Sequence, residues 1–158
     1  GAQAVGMDGV DKRISALAMA IQMGATIEDL EEAELCYAPQ FGSAKDAVNF
    51  CGMIAADVVR GDMPLAHWDE TGDAFVLDVR EPVELAVQAL PGATHMPLGQ
   101  VRARLGELPR DREILVACRS AQRAYFATRI LLQNGFKART ISGGMLSHAV
   151  ESLSRADA

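Results

Sequence analysis

The chain has 158 residues, 49% of them hydrophobic and 23% charged, with a net charge of −6. That balance excludes wholesale disorder, and the acidic total disfavours nonspecific nucleic-acid binding. The longest apolar runs, such as Ile114 to Cys118, are far too short to span a bilayer. No basic-then-apolar secretory signal opens the chain, and it begins with Gly rather than Met, which reads as a cut piece of a longer protein or as the trace of a removed tag.

Three cysteines, Cys36, Cys51 and Cys118, are an odd number without paired spacing. That pattern points to a reducing compartment, with cytoplasm the default, and away from a disulfide framework or a metal centre. His67, His95 and His148 show no ligand spacing either.

In chain order, residues 1–6 are strand-like at best. Residues 11–23 read as a helix, with Ile14, Leu17, Ala18 and Ile21 on one stripe and Gly24 ending it. Thr26-Ile27-Glu28-Asp29 resembles a helix start, with Asp a weaker third residue than Glu or Gln. Leu35 to Tyr37 reads as extended. Residues 44–60 form a second helix whose predicted apolar face is Val48, Cys51, Ile54, Ala55 and Val58. Cys36 and Cys51 read as small core residues.

Residues 61–66, with Gly61 and Pro64, form the predicted boundary. Beyond it, 75–79 is an apolar strand and Pro82 opens a helix through Leu90. Residues 101–108 read as a short helix. Ile114 to Ala117 is a continuous apolar strand of the buried parallel kind. A helix over 122–134 and a strand over 138–141 follow, then Gly143-Gly144. Strands alternating with helices predict an α/β fold with a parallel sheet.

Charge is uneven. Nine basic and three acidic residues lie between Arg102 and Arg139, so that segment is +6 and the rest −12. The bland reading is a solvated basic face. The sharper reading is a site for small anions, because Arg119 and Arg123 flank Cys118. A strand that ends at a cysteine just before a helix start lets main-chain N–H groups converge on one spot, where the helix adds partial positive charge. A thiolate or persulfide sulfur suits that cradle. The plain alternative is a buried cysteine closing a strand.

Four motifs carry a resemblance: Phe75 to Pro82, Leu90 to Leu98, Cys118 to Arg123, and Ser142-Gly143-Gly144. Their order over residues 68–152 resembles the single-domain rhodanese family. The resemblance implies that Cys118 accepts sulfane sulfur, that Cys118, Arg119, Ser120, Ala121, Gln122 and Arg123 form the active-site loop, and that Asp78 and Arg80 brace the fold. It implies Arg119 and Arg123 as the groups that orient an anionic donor. Its six-residue loop favours sulfur transfer over the phosphatase or arsenate-reductase-like chemistry of longer-loop relatives. Departures are Ala121 in place of the usual Gly, Gln88-Ala89 in place of Gly-His, and the lack of a Trp after Gly144, where His148 and Val150 stand.

Residues 1–60, through Val10 to Ile14, Met23 to Leu30, Leu35 to Phe41 and Lys45 to Asn49, are similar to the dimerisation domain of flavin disulfide reductases of the coenzyme A-disulfide reductase branch. That resemblance implies a partial α+β dimerisation segment over 1–60, a linker over 61–66 and a rhodanese-like domain over 67–158. It implies a parent that uses FAD, NAD(P)H and coenzyme A and carries flavin reductase domains. It also implies Tyr37 as a residue near a partner's redox site, against the plain reading of a half-buried tyrosine beside Pro39 and Phe41. No Gly-x-Gly-x-x-Gly loop follows a strand, so this chain itself implies no bound cofactor. The implied partners are small anionic sulfur donors, thiol acceptors and a second copy. The competing reading is a docking or sensing module.

Overall fold

The computed structural model describes residues 1–148. Val150 and the predicted extension of the second domain over 149–158 lie outside the described residues. The chain divides into two compact units, the first comprising Gly1–Gly61 and the second starting at Asp62.

The first unit contains helices α1 (Val10–Gln22), α2 (Ile27–Glu32) and α3 (Ala47–Arg60). The Thr26/Asp29 start signal forms a full capping box, with Asp29 accepting the Thr26 N–H at 2.8 Å. Asp is therefore long enough for the role at this turn. Asp46 caps α3 and also takes a fork from Arg13, whose Nη2 lies 2.7 Å from Oδ2. No strand forms over residues 1–61, so the β part of the expected α+β segment is absent from this unit. Neither 1–6 nor 35–37 has a ladder partner there, and an unpaired strand leaves its main chain unsatisfied.

The buried stripe of α3 is Val48, Asn49, Gly52 and Ala56, about one residue round from the expected face. Close approach to α2 explains the rotation: a Cβ on Gly52 would sit 2.3 Å from the Glu31 nitrogen. Asn49 is buried because its amide donates to the carbonyls of Ala33 (2.8 Å) and Leu30 (3.2 Å) at the end of α2. Cys36 and Cys51 are exposed rather than core residues. On α1, Ala18 and Ile21 of the predicted stripe are exposed as well.

The second unit is a five-stranded, wholly parallel sheet of β1 (Leu65–Ala66), β2 (Phe75–Asp78), β3 (Thr94–His95), β4 (Ile114–Ala117) and β5 (Ala138–Ile141) in the order β1-β5-β4-β2-β3. Helices α4 (Pro82–Val87), α5 (Leu98–Val101) and α6 (Gln122–Gln133) flank it. This is the expected α/β fold. β4 is central and buried at all four residues, which is why its sequence is an unbroken apolar run. One core packs Leu77, Val79, Ile114 and Val116 against Ala127 and Leu131 of α6. The other packs Leu115, Ala117 and Ile141 against Trp68 and Met145.

Three predicted spans need correction. Leu65 and Ala66, within the predicted boundary, form the edge strand β1 and pair with Thr140 and Ile141. The helix after Pro82 stops at Val87, because Gln88 is extended and its carbonyl accepts from Arg80 at 2.9 Å. Of the helix predicted over 101–108, only Val101, the last residue of α5, and a 3-10 turn over Leu105–Glu107 are helical.

Candidate active site

Cys118 follows the last residue of β4 and is 1% exposed, packed in the core beneath α6. Arg119 and Ser120 are exposed, Ala121 is half-buried, and Gln122 opens α6. The first N–H groups of any helix lack an intrahelical acceptor. Here the Ala124 N–H points at the cysteine, 3.3 Å from Sγ. The N–H groups of Ser120, Ala121, Gln122 and Arg123 have no acceptor among the described residues. The sulfur is thus buried, with one N–H of the helix start directed at it.

Ala121 has φ 72°, the only positive φ outside glycine among the described residues. The loop needs this left-handed residue to turn from β4 into α6, and alanine takes it at a cost of about 1–2 kcal/mol. Ala121→Gly is expected to raise the unfolding free energy by about 1 kcal/mol, read as a shifted denaturant midpoint.

A second turn holds the loop from below. The Met145 N–H donates to the Cys118 carbonyl (2.9 Å) and the Leu146 N–H to that of Arg119 (3.1 Å). Gly144 lies so close that a Cβ there would be 2.5 Å from the Cys118 oxygen. The Trp68 indole N–H donates to the Gly144 carbonyl at 3.0 Å, and its ring centroid is 4.4 Å from that of His148. A tryptophan from the start of the unit therefore supports this turn.

Asp78 and Arg80 lie beside these elements, at 1% and 3% exposure. Arg80 donates through Nε to both Asp78 oxygens at 3.0 Å and through Nη2 at 2.6 Å. The Arg80 carbonyl meets the His95 ring nitrogen at 2.8 Å. This pair joins β2, β3 and the segment after α4.

Arg123 is engaged elsewhere than expected. Its Nη1 and Nη2 donate to the two Glu84 oxygens at 2.5 and 2.7 Å. That fork holds the Glu84 carboxyl at about 2, well below its ordinary 4.5, despite opposing burial. A depressed carboxylate stabilises the fold fully above its unfolded value, and the contribution is lost as pH falls from about 4.5 towards 2. Glu84→Gln is expected to flatten that part of the acid-unfolding curve, followed by circular dichroism.

Other arginines of the basic segment are likewise committed: Arg104 to Glu107, Arg139 to Glu70 and Glu113, Arg129 to Asp62, and Arg110 over the Phe136 ring. Most of the segment's arginines are therefore spent on partners scattered over the unit rather than gathered at one place. Arg119 has no ion-pair partner among the described residues.

The structure brings Cys118, Arg119, Ser120, Ala121, Gln122 and Arg123 into one loop, near the Asp78–Arg80 pair. Sequence reasoning missed Ala124, Glu84 and Trp68; Gly144 stood in the Ser142-Gly143-Gly144 motif, but without a role at the site. Tyr37 belongs to the first unit and is 60% exposed, so it is not the half-buried tyrosine of the plain reading. Among the described residues, no group of three or more metal-binding side chains occurs, and no helix is long and apolar enough to cross a membrane.

The chain is 33% identical over 85 residues to a sulfurtransferase of Allochromatium vinosum, covering 53% of this chain and 79% of that protein. It is 49% identical over 57 residues to the coenzyme A disulfide reductase of Staphylococcus haemolyticus, covering 36% of this chain but 13% of that one. Among solved structures it is similar to reduced Bacillus anthracis CoADR-RHD, with a TM-score of 0.84 and 39% identity over 87% of this chain. It is also similar to a NAD-dependent persulfide reductase from A. fulgidus, with a TM-score of 0.80 and 37% identity over 89% of this chain. The chain spans 26% of the length of each of these two proteins. The family model for the rhodanese-like domain matches residues 64–149, and with that match over more than half its length the chain belongs to the rhodanese-like family.

Proposed function

We propose that this chain transfers sulfane sulfur through a persulfide on Cys118. The observation that carries the reading is the Ala124 N–H directed at Sγ from the start of α6, together with four further loop N–H groups that have no acceptor among the described residues. The Cys118 thiolate bonds to the outer sulfur of a donor while the donor's own S–S bond breaks. With thiosulfate, sulfite leaves with the electron pair. The product Cys118–S–S⁻ places its charged sulfur about 2 Å beyond Sγ, where the loop donors of residues 120–124 offset the charge. An acceptor thiolate then takes the outer sulfur as its own persulfide, and Cys118 leaves as thiolate. Electrons balance in both steps, and no outside reductant enters.

The larger context is a coenzyme A-disulfide, persulfide or polysulfide reductase, supported by the named relatives and by the small share of them that this chain spans. In such a protein FAD and NAD(P)H would supply electrons and coenzyme A would be a natural thiol partner. The residues present contain no dinucleotide-binding loop, so flavin chemistry would rest on domains outside this chain. Tyr37, exposed on the first unit, would serve a partner's redox site, and that unit would contribute to a homodimer.

The test is steady-state assay of the intact chain with thiosulfate and cyanide. Thiocyanate release is expected, with no phosphate release from a generic aryl phosphate. Phosphate release without thiocyanate would favour the phosphatase reading, and neither product would favour a docking module.

A further inference from the structure

The loop beside Cys118 carries balanced charge. Arg80 is closed on Asp78 and Arg123 on Glu84, both in bidentate geometry. Glu84 also accepts the Glu81 N–H at 2.9 Å, which ties the start of α4 to the start of α6. Beyond Glu84, Arg123 lies close enough to Cys118 and Glu81 for negative charge on either to act on it. Its guanidinium is therefore within electrostatic reach of the sulfur yet is spent on Glu84. Arg119 is the remaining loop cation, without an ion-pair partner among the described residues.

We infer that Glu84 is a specificity-determining residue: by closing Arg123 into a neutral pair, it leaves Arg119 as the one uncompensated loop cation among the described residues and tunes the site to sulfane donors bearing a single negative charge. The inference rests on the sulfur-transfer reading of Cys118. A dianion such as thiosulfate meets one opposing charge, whereas a monoanionic alkyl persulfide is matched by it. Glu84 touches no reacting atom; it acts through Arg123 as a positioning residue. Its pair with Arg123 forms across 39 residues of sequence, so it belongs to the fold of the site rather than to the loop motif.

The test compares alkylation of Cys118 by iodoacetate, an anion, and by iodoacetamide, its neutral analogue. It uses the full chain at one pH and low salt, read on the Cys118 peptide by mass spectrometry. One exposed cation changes such a ratio by about 3- to 10-fold, less in high salt. Glu84→Gln is expected to raise the iodoacetate-to-iodoacetamide ratio by that amount and to lower KM for thiosulfate more than for an alkyl persulfide. Arg123→Gln is expected to lower the ratio. The double variant, neutral like the native pair, and Glu84→Asp, which keeps the charge, should both stay within about twofold of the native chain.

A purely structural Glu84 would shift both single variants in the same direction and leave the double no better than either. That result would overturn the inference. If the native chain takes up no sulfur while the ratios move as expected, the charge assignment stands and the sulfur-transfer reading falls.

Discussion

Arg80→Ala is expected to lower the unfolding free energy of the second unit by about 3–5 kcal/mol, the cost of leaving a buried charge without its partner. Asp78 is 1% exposed, and its carboxylate accepts three hydrogen bonds from the Arg80 side chain. Removing the guanidinium strands that carboxylate beside Leu77 and Val79, which are fully buried. It also orphans the Gln88 carbonyl at the end of α4. Denaturant unfolding followed by Trp68 fluorescence reads the effect, since that residue is the chain's single tryptophan and sits in this unit. The double change Asp78→Asn with Arg80→Met should cost less than Arg80→Ala alone, because it leaves no unpaired charge. A single variant within about 1 kcal/mol of the native chain would show that the pair does not brace the fold.

Gly144→Ala should cost about 2–4 kcal/mol and impair sulfur transfer in the fraction that remains folded. Two penalties combine there. The residue has φ 58°, and its new Cβ would lie 2.5 Å from the Cys118 oxygen and 2.7 Å from that of Arg119. Both neighbours are backbone, so relief must come from moving the start of the loop. Gly135→Ala is the control: its φ is 77° but open space surrounds it, so only the conformational cost of about 1 kcal/mol applies. Equal losses at the two positions would mean that the Gly144 turn does not press on the loop.

Legibility in the sequence followed the range of the interactions. The apolar run Ile114 to Ala117 announced a buried central strand, and the strand-to-helix switch at Cys118 announced the loop, since both are local patterns. Ala121 stood out as a departure from the family's glycine, and its φ of 72° shows why a glycine suits that position. Glu84 could not be read, because its partner lies 39 residues away and its own surroundings look like an ordinary exposed helix start. Trp68 supports Gly144 across 76 residues, and no periodicity encodes that contact. The same limit explains the anion reading of the basic segment: arginine counts were visible, but their pairing with Glu70, Glu84, Glu107 and Glu113 was not. On α3 the apolar pattern misled because a glycine, which carries no hydrophobic signal, sets the closest contact.

The central claim is that Cys118 seats a persulfide beneath the first turn of α6. Intact mass measurement after exposure to thiosulfate, with peptide mapping, tests it most directly. The chain should gain one sulfur that maps to Cys118, is removed by cyanide, and is absent from Cys118→Ser, while Cys36→Ser and Cys51→Ser still load. Sulfur found on Cys36 or Cys51, or retained by Cys118→Ser, would contradict it.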